Sequence, residues 1–112
     1  MIEDVDAPTR SPFVHCVALL DPEVGAVPAG ALGADSTAQG VRVLRSGMGR
    51  GHLGPEPIKG HGDHRYVFQL FALAAAVTSA DGGADRGRPR TVLAGVGGPT
   101  LARGRLDGRY SR

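Results

Sequence analysis

A chain of 112 residues with a formal net charge of +2 is one domain at most, and a domain this small buries only about 60–70% of its unfolded surface, so its core has to be efficient. Three Phe, two Tyr and no Trp leave few rings for stacking nucleobases. The six arginines between Arg86 and Arg109 lie among Gly and Asp, with no aromatic between Phe71 and Tyr110, so they read as a solvated surface and not as a nucleic-acid face.

Residues 1–11 are polar, and Ala7-Pro8 and Ser11-Pro12 impose extended or turn geometry there. Phe13 to Leu20 reads as one buried strand closed by Asp21-Pro22, with Phe13, His15, Val17 and Leu19 on one face. Residues 21–40 carry Pro22, Pro28 and several Gly without a sustained period, which predicts a long loop. Val41 to Arg45 is a short strand, and Ser46 to Asp63 a second glycine-rich loop.

Arg65 to Val77 is the strongest element. Ala74, Ala75 and Ala76 leave a helix open near its end, but Tyr66, Val67, Phe68 and Phe71 favour a strand. Its parity puts His64, Tyr66, Phe68 and Leu70 on one face and Arg65, Val67, Gln69 and Phe71 on the other. Ala80 to Pro89 is a polar connection, Thr91 to Val96 is one turn of helix stopped at Gly97-Gly98-Pro99, and Leu101 to Tyr110 alternates as a terminal strand. Eighteen Gly and eight Pro act as punctuation between apolar runs, so a loop-rich, mostly antiparallel β domain is expected in preference to disorder.

The single cysteine, Cys16, excludes an internal disulfide and a multi-cysteine zinc site, and its apolar neighbours make it a buried, inert thiol. No stretch reaches the ~18 uninterrupted apolar residues of a membrane span. The acidic start, Met1-Ile-Glu-Asp-Val-Asp6, is unlike a secretory leader, which implies a cytoplasmic protein.

Several residues could carry chemistry. Asp4 and Asp6 project from the same side of an extended segment, where they could hold a cation, tune one another's protonation or simply be solvated. His15, mid-strand on an apolar face, reads as a core histidine, and His64 at the end of a glycine-rich loop as either core or pocket rim. His61 and His64 have an H-x-x-H spacing, but on a loop without cysteine or a placed carboxylate no metal site is expected. Gly30-Ala-Leu-Gly33 and Gly95-Val-Gly-Gly98 match neither a phosphate-loop nor a dinucleotide spacing. Without a Gly-x-Ser-x-Gly elbow or a base partner for Cys16, an acyl-transfer hydrolase is disfavoured.

Three separated pieces line up with one family. Glu3-Asp-Val-Asp-Ala-Pro8 resembles the Asp-Pro-Asp-Ala-Pro signature of phosphatidylethanolamine-binding proteins, and Pro12-Phe-Val-His-Cys16 resembles their Phe-Val-His-Trp strand. Gly54 to Tyr66 is similar to their Gly-Pro-x-Pro-Pro-x-Gly-x-Gly-x-His-Arg-Tyr loop, and Leu101 to Tyr110 to the last strand of the bacterial Raf-kinase-inhibitor-like branch. Ile58 stands in place of a family proline, Cys16 in place of the tryptophan, and the segment before the last strand is eroded into Gly and Arg. The chain also starts at the first signature, where family members carry several leading strands.

The resemblance implies an antiparallel β-sandwich, here a single partial domain over residues 1–112, N-terminally truncated and with little helix. It implies a shallow cavity for phosphate-like anions lined by Asp4, His15, His64 and Tyr66, with Asp6, Pro57 and Gly60 shaping its wall. A binder with no catalytic residue, metal or cofactor is expected. Its partners would be a small phosphate-bearing ligand, a regulated protein, or a second copy covering an exposed sheet edge. The alternatives are an inhibitor of a kinase or protease, a phosphate-ester or metal-dependent hydrolase, and a remnant without ligand binding.

Overall fold

The structure, a computed structural model, describes residues 1–77, 89–94 and 96–112. In chain order these form β1 (Ile2–Asp4), β2 (Phe13–Cys16), β3 (Ala18–Leu20), β4 (Val41–Val43), β5 (Arg45–Ser46), β6 (Gly49–Arg50), β7 (His64–Leu73), α1 (Thr91–Ala94) and β8 (Thr100–Tyr110). The mostly-β, antiparallel class expected from the sequence is the one observed. The polar connection at Ala80–Pro89, with Arg86 and Arg88, lies outside the described residues except for Pro89. No helix among the described residues is long and apolar enough to cross a membrane.

The main sheet has four strands in the order β2-β1-β7-β8. The opening segment, read as merely polar and extended, supplies an interior strand: Ile2, Glu3 and Asp4 are all buried between β2 and β7. Two acids survive there because each meets a partner. Glu3 Oε2 accepts a hydrogen bond from Gln69 Nε2 at 3.0 Å, and Glu3 Oε1 forms an ion-pair contact with Arg90 Nε at 3.2 Å. Asp4 is held by His64. Buried charges persist only when compensated in this way.

The run Phe13–Leu20, expected as one strand, is two. β2 pairs with β1, β3 pairs with β4, and Val17 is the residue at which the chain changes sheets. Val41–Arg45 breaks likewise at Leu44, whose N–H donates to the Val17 carbonyl at 2.9 Å. Val17 and Leu44 are both buried and build the core with Val14 and with Val92 of α1.

β7 stops at Leu73, short of the expected Val77, so Ala74, Ala75 and Ala76 belong to neither strand nor helix. Its ladder with β8 runs from His64 opposite Tyr110 to Leu73 opposite Thr100. Pro99 then stands where the ladder would continue, and it has no N–H to donate; its carbonyl accepts from Ala74 N–H at 3.1 Å.

The loop 21–40 is irregular, as expected, and is closed at its base by Asp21 N–H donating to the Gly40 carbonyl at 2.9 Å. The second loop opens with the small hairpin β5–β6, which the sequence reading had not separated. Gly51 then passes close to the first loop, with φ +77° and the position of a Cβ only 2.5 Å from Ala34 N.

Beyond Phe68 the β7–β8 ribbon extends past the end of β1. Phe68 pairs with Leu106 and Leu70 with Gly104, and Leu70 and Leu106 are 62% and 68% exposed. These side chains border an open groove of about 1310 Å³ with Val17, Leu19 and Val92 on its other walls. The inward face expected for His64, Tyr66, Phe68 and Leu70 is therefore buried only at its first half.

Candidate functional site

The buried half of that face carries the polar groups. Asp4 of β1 lies opposite both Phe13 of β2 and Tyr66 of β7, which brings three separated motifs to one spot on the sheet. His64 Nδ1–H donates to Asp4 Oδ2 at 2.7 Å, and both side chains are almost fully buried. A carboxylate can only accept, so this bond fixes the tautomer: neutral His64 bears its proton on Nδ1 and presents a lone pair at Nε2. His61 Nδ1 lies 3.0 Å from that Nε2, and the two rings meet edge to face.

His15 is anchored from the loop. Its Nδ1–H donates to the Leu53 carbonyl at 2.9 Å, while the Leu53 N–H donates to the His15 carbonyl at 3.1 Å. This reciprocal pair docks the start of the glycine-rich loop onto β2 and leaves His15 Nε2 as the uncommitted nitrogen. The ring of His15 packs against Phe13 on one side and Tyr66 on the other, with centroids 5.0 and 5.2 Å away. His15 lies close enough to His52 that, after partial burial, its charge helps hold the His52 imidazole below its ordinary pKa.

The Tyr66 hydroxyl is buried and has no hydrogen-bond partner of good geometry. Burial raises its pKa, and the negative charge of Asp4 beside it pushes further in the same direction. Tyr66 is thus a neutral phenol set beside the Asp4 carboxylate.

The two aspartates part company. Asp6 N–H donates to Asp4 Oδ1 at 2.9 Å, a local turn that sends the carboxylates in different directions. Asp6 accepts from Arg65 N, Nε and Nη2 at 2.8–2.9 Å at the exposed rim. The Arg65 hydrogen bonds hold its carboxyl well below the usual carboxylate range. Pro57 is buried, and Gly60, exposed with φ +75°, donates its N–H to the Arg112 carbonyl at 3.1 Å.

Of the residues singled out from the sequence, Asp4, His15, His64 and Tyr66 form one connected cluster, while Asp6 serves Arg65. Each of the four is no more than 6% exposed. Neither the large groove nor the smaller cavity of about 400 Å³ beside His52 is lined by them. The cluster is closed, with the exposed ring of His61 set against its outermost nitrogen. His61 enters the sequence reading as half of an H-x-x-H pair, and nothing in its neighbourhood there marks it as the ring that covers His64.

The chain is 37% identical over 82 residues to phomoidride biosynthesis cluster protein B of a fungal species, covering 66% of this chain and 39% of that protein. It is 29% identical to a UPF0098 protein of Pyrococcus horikoshii over all of this chain and 56% of the relative. With a UPF0098 protein of Aquifex aeolicus it shares 39% identity over 55% of this chain and 34% of the relative. The chain thus spans little more than half the length, at most, of these curated relatives. No solved structure matches it. The family model for phosphatidylethanolamine-binding protein matches residues 1–111, and the chain belongs to that family.

Proposed function

We propose that this chain is a binding protein, not an enzyme, and that it takes a small phosphate-bearing or other oxyanionic ligand at the Asp4, His15, His64 and Tyr66 cluster. One observation carries the reading. Three polar groups of the cluster turn an atom away from their buried anchors: His64 Nε2, which beyond its bond to Asp4 meets the ring of His61, His15 Nε2 beyond its bond to Leu53, and the buried Tyr66 hydroxyl beside Asp4. Protonated imidazoles and a phenol are donors suited to phosphate oxygens, and the imidazolium adds charge. Asp4 is occupied in orienting His64, so no nucleophile stands beside a free base. Pro57 and Gly60 shape the wall in this reading, and Asp6 steadies it through Arg65.

The test is calorimetric titration with inorganic phosphate and, separately, phosphoethanolamine. Affinity should fall in His64→Ala and in His15→Ala, each by about tenfold for a lost charge-assisted hydrogen bond. Equal binding by wild type and both variants would reject the cluster as the site. A ligand preference for phosphoethanolamine over phosphate would point to a lipid headgroup as the source of the anion.

A further inference from the structure

His64 is buried and anchored on Asp4; His61, whose ring covers it, is exposed. His61 is exposed, and it sits between Gly60 and Gly62, whose φ angles are +75° and +88° and which have open space where a Cβ would be. From this asymmetry we infer that His61 is a proton-operated gate over His64 that keeps an anion out when the pair is neutral and admits it when both rings are protonated. The inference rests on the anion-binding reading above.

The proton count shows why. In the neutral pair His61 Nδ1–H donates to the His64 Nε2 lone pair across 3.0 Å, so the atom an oxyanion would contact is taken. One added proton is accommodated in the same contact, because one facing nitrogen still has a lone pair. A second added proton places N–H on both facing nitrogens. Two N–H groups cannot point at one another at that separation, and the rings must part. His61, on the exposed side, is the ring that can swing away about its own side-chain torsions, whereas His64 stays on Asp4. His64 then presents Nε2–H to the opening.

The groups around the pair are Asp4 of β1, Asp6 just after it with Arg65 paired to it, Tyr66 of β7, Tyr110 opposite His64 on β8, Arg112, whose carbonyl accepts from Gly60 N–H, and His15 of β2 through Tyr66. The phenol of Tyr66 is held neutral by burial and stays so through the range in which imidazoles titrate.

Sulfate is the probe of choice, since its charge does not change with pH where phosphate's does. Its affinity is measured by calorimetry in metal-free buffer at about pH 8 and about pH 5.5, the two sides of ordinary imidazole titration. The wild type should tighten on acidification, by up to about tenfold per pH unit for each proton taken up. His61→Ala should already bind about tenfold more tightly than wild type at the higher pH and should gain less on acidification. His61→Gln can keep an amide N–H on His64 Nε2 without titrating, and should bind weakly at both. Weaker or equal binding by His61→Ala at the higher pH makes His61 a contact and overturns the gate.

A ligand-free readout separates the two readings. Ring-proton NMR should show His61 and His64 titrating as coupled steps. Independent steps with sulfate still bound overturn the gate alone. Coupled steps with no sulfate bound by any variant overturn the anion-binding reading and the gate with it.

Discussion

Asp4 faces Tyr66 across the β1–β7 ladder and accepts a hydrogen bond from His64 on the same strand of that ladder. One carboxylate from a short interior strand therefore fixes the tautomer of an imidazole and adds to the upward push that burial gives the pKa of a phenol. Its removal reaches both.

Asp4→Ala should destabilise the chain by about 1–3 kcal/mol, the cost of leaving the buried His64 N–H without an acceptor. Asp4→Asn, which retains an acceptor oxygen, should cost less. Urea unfolding at neutral pH measures both. Equal losses would mean that the space filled by Asp4 matters and its hydrogen bond does not.

The Asp6–Arg65 pair gives a pH signature with a definite sign. The folded-state pKa of Asp6 is depressed, chiefly by the Arg65 hydrogen bonds, so the unfolded chain binds this proton first as the solution is acidified. The contribution is fully present above the unfolded value of about 3.9 and is lost as pH falls from there through the folded pKa. Thermal melts of wild type and Asp6→Asn should differ at neutral pH and converge progressively below about pH 4. A gap that stays constant into strong acid would contradict the assignment.

Gly51→Ala tests the contact between the two long loops. Its positive φ and the 2.5 Å approach to Ala34 N leave no room for a methyl group. A loss of about 1–3 kcal/mol is expected from backbone strain alone, and more if the loops separate. Gly54→Ala, with open space at the Cβ position and no positive φ, is the control and should be close to neutral.

The apolar side chains on the outer half of the β7–β8 ribbon should make the protein self-associate. Leu70 and Leu106 are exposed beside the groove, and a contiguous apolar surface next to an outer strand favours contact between copies. Leu70→Thr with Leu106→Thr should lower the apparent mass in concentrated solution while leaving the melting temperature of the dilute protein nearly unchanged. Sedimentation over a concentration series decides it, and a wild type that stays monomeric throughout would refute the expectation.

Local pattern was enough to place the mostly-β class, the long strand beginning near Arg65, the terminal strand through Tyr110 and the loops between them. Those elements rest on side-chain alternation and on Gly and Pro, which act within a few residues. The resemblance of three motifs brought forward Asp4, His15, His64 and Tyr66, and the register of β1 and β7 assembled them. What no short window contained was the interior position of β1, with its two buried acids, because their partners Gln69, Arg90 and His64 lie far along the chain. The breaks at Val17 and Leu44, the divergence of Asp4 from Asp6 and the closure of His64 by His61 were equally invisible. Each is settled by which distant group lies across a sheet or loop, and alternation records only which side of its own strand a residue takes.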